Sequence, residues 1–264
     1  GDDLKEWYRI TLHRLIEVCR WAASVYTRSK VRKALPRDYA YIIDELLHVN
    51  YDEADKRDYY ENIINTIIDI DQAPGFIIAV CGVIKRMAVD RLHIVGDIFD
   101  RGPRADIVMD ALRGYHSVDI QWGNHDILWM GAASGSRTLV ATVLANSIHY
   151  NNLEVIETGY GISLRPLSVF ANEVYKECDV KQFAVKLSNG DEARYSEKDK
   201  LLAARMHKAI TMILFKLEGQ KILRNPSFGM DDRLLLDKID YEKGTVRIGE
   251  ADYPMEDLDF PTVD

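Results

Sequence analysis

The feature that most restricts how this chain can fold is a strand–loop–helix–strand–loop succession near its middle. Residues 92–95 form a short apolar run that stops at Gly96, the signature of a buried strand. Pro103 then opens an amphipathic helix to about Arg113, with Ile107, Val108 and Leu112 expected to face inward. Residues 118–122 are a second short strand, which stops at Gly123. Strand, crossover helix and strand make a βαβ unit, which sets the strands parallel and the crossover right-handed. In open α/β sheets ligands bind beyond the carboxyl ends of the strands. The loops at 96–102 and 123–126 follow those ends, so their polar side chains are expected to converge.

The flanks read as mostly helical. Leu4, Tyr8, Leu12, Leu15, Cys19 and Ala22 recur at three- and four-residue spacing, predicting a first helix that Asp2 or Asp3 caps. Residues 29–35 are basic and end at Pro36. Helical patterns resume over 39–48 and 55–70, and Pro74 suits the first turn of a helix reaching about Met87. Beyond Asp126, helices are predicted at 127–130, 138–149, 164–175 and 200–217, with a polar turn at 188–194 around Asn189-Gly190. Residues 234–239 and 245–248 read as strands joined by a turn at 241–244, with no closing element after them. The fold class expected is therefore α/β, in four segments. These are a helical segment (1–88), the βαβ core with both loops (89–136), a mostly helical insertion or cap (137–230), and short strands with a truncated end (231–264).

Composition limits the partners. At 264 residues the chain can bury a sizeable core, and no apolar run approaches the roughly 20 residues of a membrane span. The longest, 75–83, is followed by Lys85 and Arg86, so no membrane partner is expected. A net charge of −8 argues against nucleic acid, whose backbone is held by clustered Lys and Arg. An anionic substrate must then be held by local cations or metal ions. Cys19, Cys81 and Cys178 are odd in number and lack CxxC spacing, which fits a reducing cytoplasm; all three read as small buried apolar side chains. The start Gly1-Asp2-Asp3, without an initiating Met, reads as a cut site or expression remnant, so the chain is expected to begin mid-protein.

The two loops carry the residue types of metal-assisted phosphoryl chemistry. Asp97 offers a hard carboxylate able to bridge two cations, and Asn124 a neutral carbonyl ligand. Arg101 can fork onto phosphate oxygens. Histidine is the side chain best suited to proton transfer near neutral pH, which makes His125 a proton donor and Asp100 its orienting partner. Taken singly, an Asp or Arg in a loop is usually a solvated charge and a lone His usually structural; the two loops in this order, one βα step apart, are not explained that way. His13, His48, His149 and His207 fall in helical patterns and are assigned to packing or surface, His93 to the core of the first strand, and His116 to a turn. Trp122 and Trp129 are expected to pack around the second loop, and Lys30, Arg32 and Lys33 to form a solvated basic face.

The stretch at 93–136, HIVGDIFDRGPRADIVMDALRGYHSVDIQWGNHDILWMGAASGS, resembles the metallophosphoesterase superfamily, and within it the bacterial class III fructose-1,6-bisphosphatases. SKVRKALP at 29–36, YIIDELLH at 41–48 and DRLLLDKIDYEKGTVRIG at 232–249 resemble the same branch. The resemblance implies a calcineurin-like core, cytoplasmic location and hydrolysis of the 1-phosphate of fructose 1,6-bisphosphate in gluconeogenesis. It makes Asp97 and Asn124 metal ligands, His125 the acid, Asp100 its partner and Arg101 a phosphate clamp. It also implies two divalent metal ions, Mn²⁺ ahead of Fe or Zn, a sugar bisphosphate as partner, and leaves room for a homo-oligomer. The superfamily pattern begins with an Asp-x-His loop, and none precedes Gly96; class III enzymes are also much longer. The chain is therefore expected to be a central fragment lacking some metal ligands. Two other readings stand beside this one: a protein or dinucleoside-polyphosphate phosphatase of the same superfamily, and a non-catalytic module.

Overall fold

The computed structural model describes residues 1–49, 54–187 and 195–259. The polar turn expected at 188–194 and the end at 260–264 lie outside the described residues. Two compact units form, one of residues 1–93 with 116–119, the other of residues 94–115 with 120–264.

Among the described residues, the first unit is built from α1 (Asp2–Ala23), α2 (Arg28–Ala34), α3 (Ala40–His48), α4 (Ala54–Asp69) and α5 (Ala73–Ala88). Their buried residues follow the helical repeat. Leu12, Ile16 and Cys19 line one side of α1, Tyr60, Ile64 and Ile67 one side of α4, and Phe76, Val80, Val83 and Met87 one side of α5. Cys81 falls off that stripe and is exposed, so only Cys19 of the three cysteines is a buried apolar side chain; Cys178 is half-buried. Asp2 and Asp3 lie inside the first turn of α1, after Gly1, rather than capping it. There their carboxylates face the positive end of the helix dipole. Pro36 ends α2 by forcing Leu35 into an extended conformation, φ −70° and ψ 139°. Pro74 sits in the first turn of α5, and Gly75 beside it admits Tyr39, whose hydroxyl would lie 2.8 Å from a Cβ there. Tyr39 in turn meets Phe76 edge-on at 5.4 Å. Lys30 pairs with Asp90 at 2.6 Å and is not merely solvated. No single helix among the described residues is long and apolar enough to cross a membrane; α4 and α5 pass that test only as a pair bent by 119°.

Strands β1 (Leu92–Ile94) and β2 (Val118–Ile120) form a two-stranded sheet. Leu92 N–H donates to Ser117 O at 3.0 Å and Gln121 N–H to Ile94 O at 2.9 Å, the slanted ladder of parallel strands. The strands are short and not buried, contrary to the reading of their apolar composition. Two strands have two open edges, and the outward-facing His93 is an exposed residue that pairs with its cross-strand neighbour Asp119, not a core histidine.

The second unit holds α6 (Ala105–Arg113), α7 (Asn124–Ala133), α8 (Arg137–His149), α9 (Arg165–Val174) and α10 (Glu197–Arg224). On α6 the buried residues are Ala105 and Leu112, two turns apart, while Ile107 and Val108 face outward. The difference begins at Arg104, which is left-handed (φ 61°) and delays the helix past Pro103. Helix α10 starts earlier than its apolar pattern suggested. Ser196 accepts from Asp199 N–H at 3.3 Å and donates its own N–H to Asp199 at 3.0 Å, a capping box on a charged turn. Ala141, Ala145 and Ile148 of α8 share a core with Met206, Ala209 and Ile210 of α10 and with Ala171 and Tyr175. Lys208 is fully buried in this unit, and its ammonium donates to Asp179 O at 2.8 Å and Asp257 Oδ2 at 2.9 Å. Asp257 therefore closes a contact in a segment read as lacking one. Among the described residues, short antiparallel strands follow α10: β3 (Ile239–Asp240), β4 (Thr245–Ile248) and β5 (Ala251–Pro254). The last was hidden by Asp252 and Pro254, residues that tolerate an edge strand.

Replacing Phe76 by Ala removes a fully buried ring from the core of the first unit; a loss of about 3–5 kcal/mol is expected in urea unfolding. In the second unit, burial holds His149 and His207 below the ordinary histidine value of 6.5. The unfolded chain then binds more protons, so their contribution is fully present above pH 6.5 and declines as pH falls through that value. The urea midpoint should drop as pH falls from about 7.5 to about 5.5, across the histidine range, and His207→Gln should flatten that slope.

Candidate active site

Both loops leave the strands through glycines. Gly96 has φ +97°, and a Cβ on it would stand 2.4 Å from Gly123 N and 2.8 Å from Gln121 O. The two strand exits therefore approach backbone to backbone, which only glycine permits. Asp97 follows, also with positive φ (54°), an unusual conformation for a residue with a side chain.

Asp126 holds these exits together. Only 5% exposed, its carboxylate accepts the backbone N–H of Asp97 at 2.6 Å, Gly123 at 2.8 Å and Phe99 at 3.1 Å. It ties the first loop to the start of the second and caps α7 at the same time. As a result Asn124, His125 and Asp126 form the first turn of α7 and not a loop. The Asp97 carboxylate lies at that helix N-terminus, accepting His125 N–H at 3.3 Å.

The remaining expected residues meet at Asp100. His125 Nε2 is 3.1 Å from Asp100 Oδ1, and Arg101 Nε donates to the same oxygen at 3.1 Å. Arg101 Nη2 donates to Asp100 Oδ2 at 3.4 Å, making a fork, and this hydrogen bond raises the guanidinium above its ordinary pKa. The His125 side chain is 26% exposed and that of Arg101 is 59% exposed, so both can be reached from solvent. Phe99, Asp100, Arg101, His125, Trp129 and Tyr150 line one small cavity. Trp129 stacks on Phe99 at 4.7 Å and packs beside the site, whereas Trp122 is exposed.

Three residues outside the expected set support the loops. Asp126 could have been found, because an Asp three residues after a glycine that opens a helix is a capping signal. Tyr150, whose ring centroid is 5.1 Å from Arg101 Cζ, and Asn152, whose Nδ2 donates to Gly102 O at 3.1 Å, follow the end of α8 and carried no local signal.

Asp97 and Asn124 are an oxygen pair suited to a hard or borderline divalent cation. They fit as one part of a metal site. Among the described residues, no group of three or more His, Cys, Asp or Glu is placed to hold a metal ion, so a complete binuclear donor set is not assembled by them.

The family described as Firmicute fructose-1,6-bisphosphatase matches residues 1–264. The chain is 56% identical over 262 residues to a protein of Clostridium botulinum (strain Alaska E43 / Type E3) named fructose-1,6-bisphosphatase class 3, covering 99% of this chain and 40% of that protein. It is 56% identical over 263 residues to a protein of the same name from Listeria innocua serovar 6a, covering 100% of this chain and 40% of the relative. The chain thus spans about 40% of the length of the curated relatives it matches. No solved structure matches it.

Asp126→Ala removes a buried carboxylate that accepts three backbone N–H groups. A loss of about 3 kcal/mol or more is expected in chemical unfolding of the second unit, with Asp126→Asn intermediate because its amide can accept through one oxygen only.

Proposed function

The chain belongs to the Firmicute fructose-1,6-bisphosphatase family, and on that premise we propose that it forms part of a phosphomonoesterase that removes the 1-phosphate of fructose 1,6-bisphosphate. The observation that carries this reading is the Asp100-centred group. One carboxylate holds both an imidazole and a guanidinium at 3.1 Å, at the carboxyl ends of two parallel strands.

In this reading Arg101 binds the phosphoryl oxygens and opposes the charge that builds on them in the transition state. Asp100 pairs with Arg101 and stands 3.1 Å from His125 Nε2, holding in place the imidazole that is proposed to protonate the departing sugar oxygen. Asp97 and Asn124 would hold the divalent ions, for which Mn²⁺ is the proposed choice. When bound, such ions supply Lewis acidity to the phosphoryl group and activate water. The other donors are proposed to come from the part of the relatives' length that this chain does not span. The βαβ unit is proposed as a piece of a calcineurin-like metallophosphoesterase core, working on a gluconeogenic sugar phosphate in the cytoplasm.

The test is a chimaera in which these 264 residues replace the matching segment of the Listeria innocua relative. With Mn²⁺ it should release phosphate from fructose 1,6-bisphosphate, and His125→Ala should lower kcat by about 10²–10⁴-fold. A folded chimaera that turns over a phosphopeptide or a dinucleoside polyphosphate in preference would overturn the substrate assignment.

A further inference from the structure

Resting on the sugar-bisphosphate reading, we propose that Lys186 binds the phosphate that is not cleaved, and that the Tyr150 ring sets Lys186 and Arg101 as a pair for the two ends of the substrate. After a short 3-10 turn (Lys181–Phe183), burial alternates along residues 183–186: Phe183 and Val185 pack on the core of the second unit, whereas Ala184 and Lys186 are exposed. The backbone of Lys186 is fixed by its N–H, which donates to His149 O at 2.7 Å, one residue before Tyr150. Its ammonium then stands 5.3 Å from the Tyr150 ring centroid, and Arg101 Cζ stands 5.1 Å from the same point. Both are within cation–π range of one ring, so the two charges are no more than roughly 10 Å apart.

Like charges gathered at one ring repel unless anions come between them. Arg101 has Asp100 as a partner; among the described residues, no carboxylate pairs with Lys186. An open cation on a chain of net charge −8, anchored through its backbone beside the phosphate clamp, is a place for a second anion. A hexose with a phosphate at each end supplies two such anions on one molecule, and a monophosphate supplies one. The chemistry that separates them is thus carried by Lys186, with Tyr150 as the positioning residue shared by both cations.

Calorimetric titration of the 264-residue chain with fructose 1,6-bisphosphate, fructose 6-phosphate and inorganic phosphate, with and without Mn²⁺, tests this. The chain should bind the bisphosphate about tenfold more tightly than the monophosphate. Lys186→Gln and Tyr150→Leu should each bring that ratio close to one, and Lys186→Arg and Tyr150→Phe should keep it. Circular dichroism checks that each variant is folded. A preference that survives Lys186→Gln would overturn the inference and leave the substrate reading standing. Absence of any preference in the unaltered chain would overturn the reading, and the inference with it.

Discussion

The site rests on one buried carboxylate. Asp126 gathers backbone N–H groups from Asp97, Phe99 and Gly123, three donors that would otherwise be stranded where two strands end and a helix begins. Hydrogen bonds to a charged acceptor are the strong ones, and burial removes water as a competitor. The left-handed turn at Asp97 depends on this. Held by Asp126 through its own N–H, Asp97 directs its carboxylate to the N-terminus of α7 and so to the neighbourhood of Asn124. The glycines at 96 and 123 are the steric counterpart of the same clamp, since a Cβ at either would strike the opposite loop.

A second carboxylate, Asp100, organises the groups that would meet a phosphate. It neutralises Arg101 in part and stands beside His125, so the guanidinium already has a countercharge before any ligand or ion arrives. That balance suits a family whose relatives carry the name of a bisphosphatase while the chain as a whole is acidic. Attraction of an anion must come from within a few ångströms, because the protein's overall field opposes it.

Much of this was readable in the residues. The positions of α1, α3, α4, α5 and α8 followed from apolar spacing, and the two loops from glycines placed after short apolar runs. What misled was inference of burial from composition: Ile107, Val108 and His93 belong to elements correctly located but face outward. A periodic pattern gives a face, and only tertiary neighbours decide whether that face is covered. The start of α10 and strand β5 were missed because charged or Pro-containing turns carry capping and edge-pairing information and no apolar signal. Tyr150 and Asn152 reach the first loop from about 50 residues away, as the separation of Asn152 from Gly102 shows, and nothing local announces such a contact.

Lys208 has a consequence for the order in which the molecule can be made. Its ammonium is sealed inside the second unit, and the carboxylate it needs, Asp257, lies 49 residues further along the chain. Without Asp257 the ammonium would keep the Asp179 carbonyl as its hydrogen-bond partner but no countercharge, and a buried charge lacking one is costly. The core of this unit is therefore complete only with the segment beyond β5 in place, so later-made residues seal a charge carried by α10.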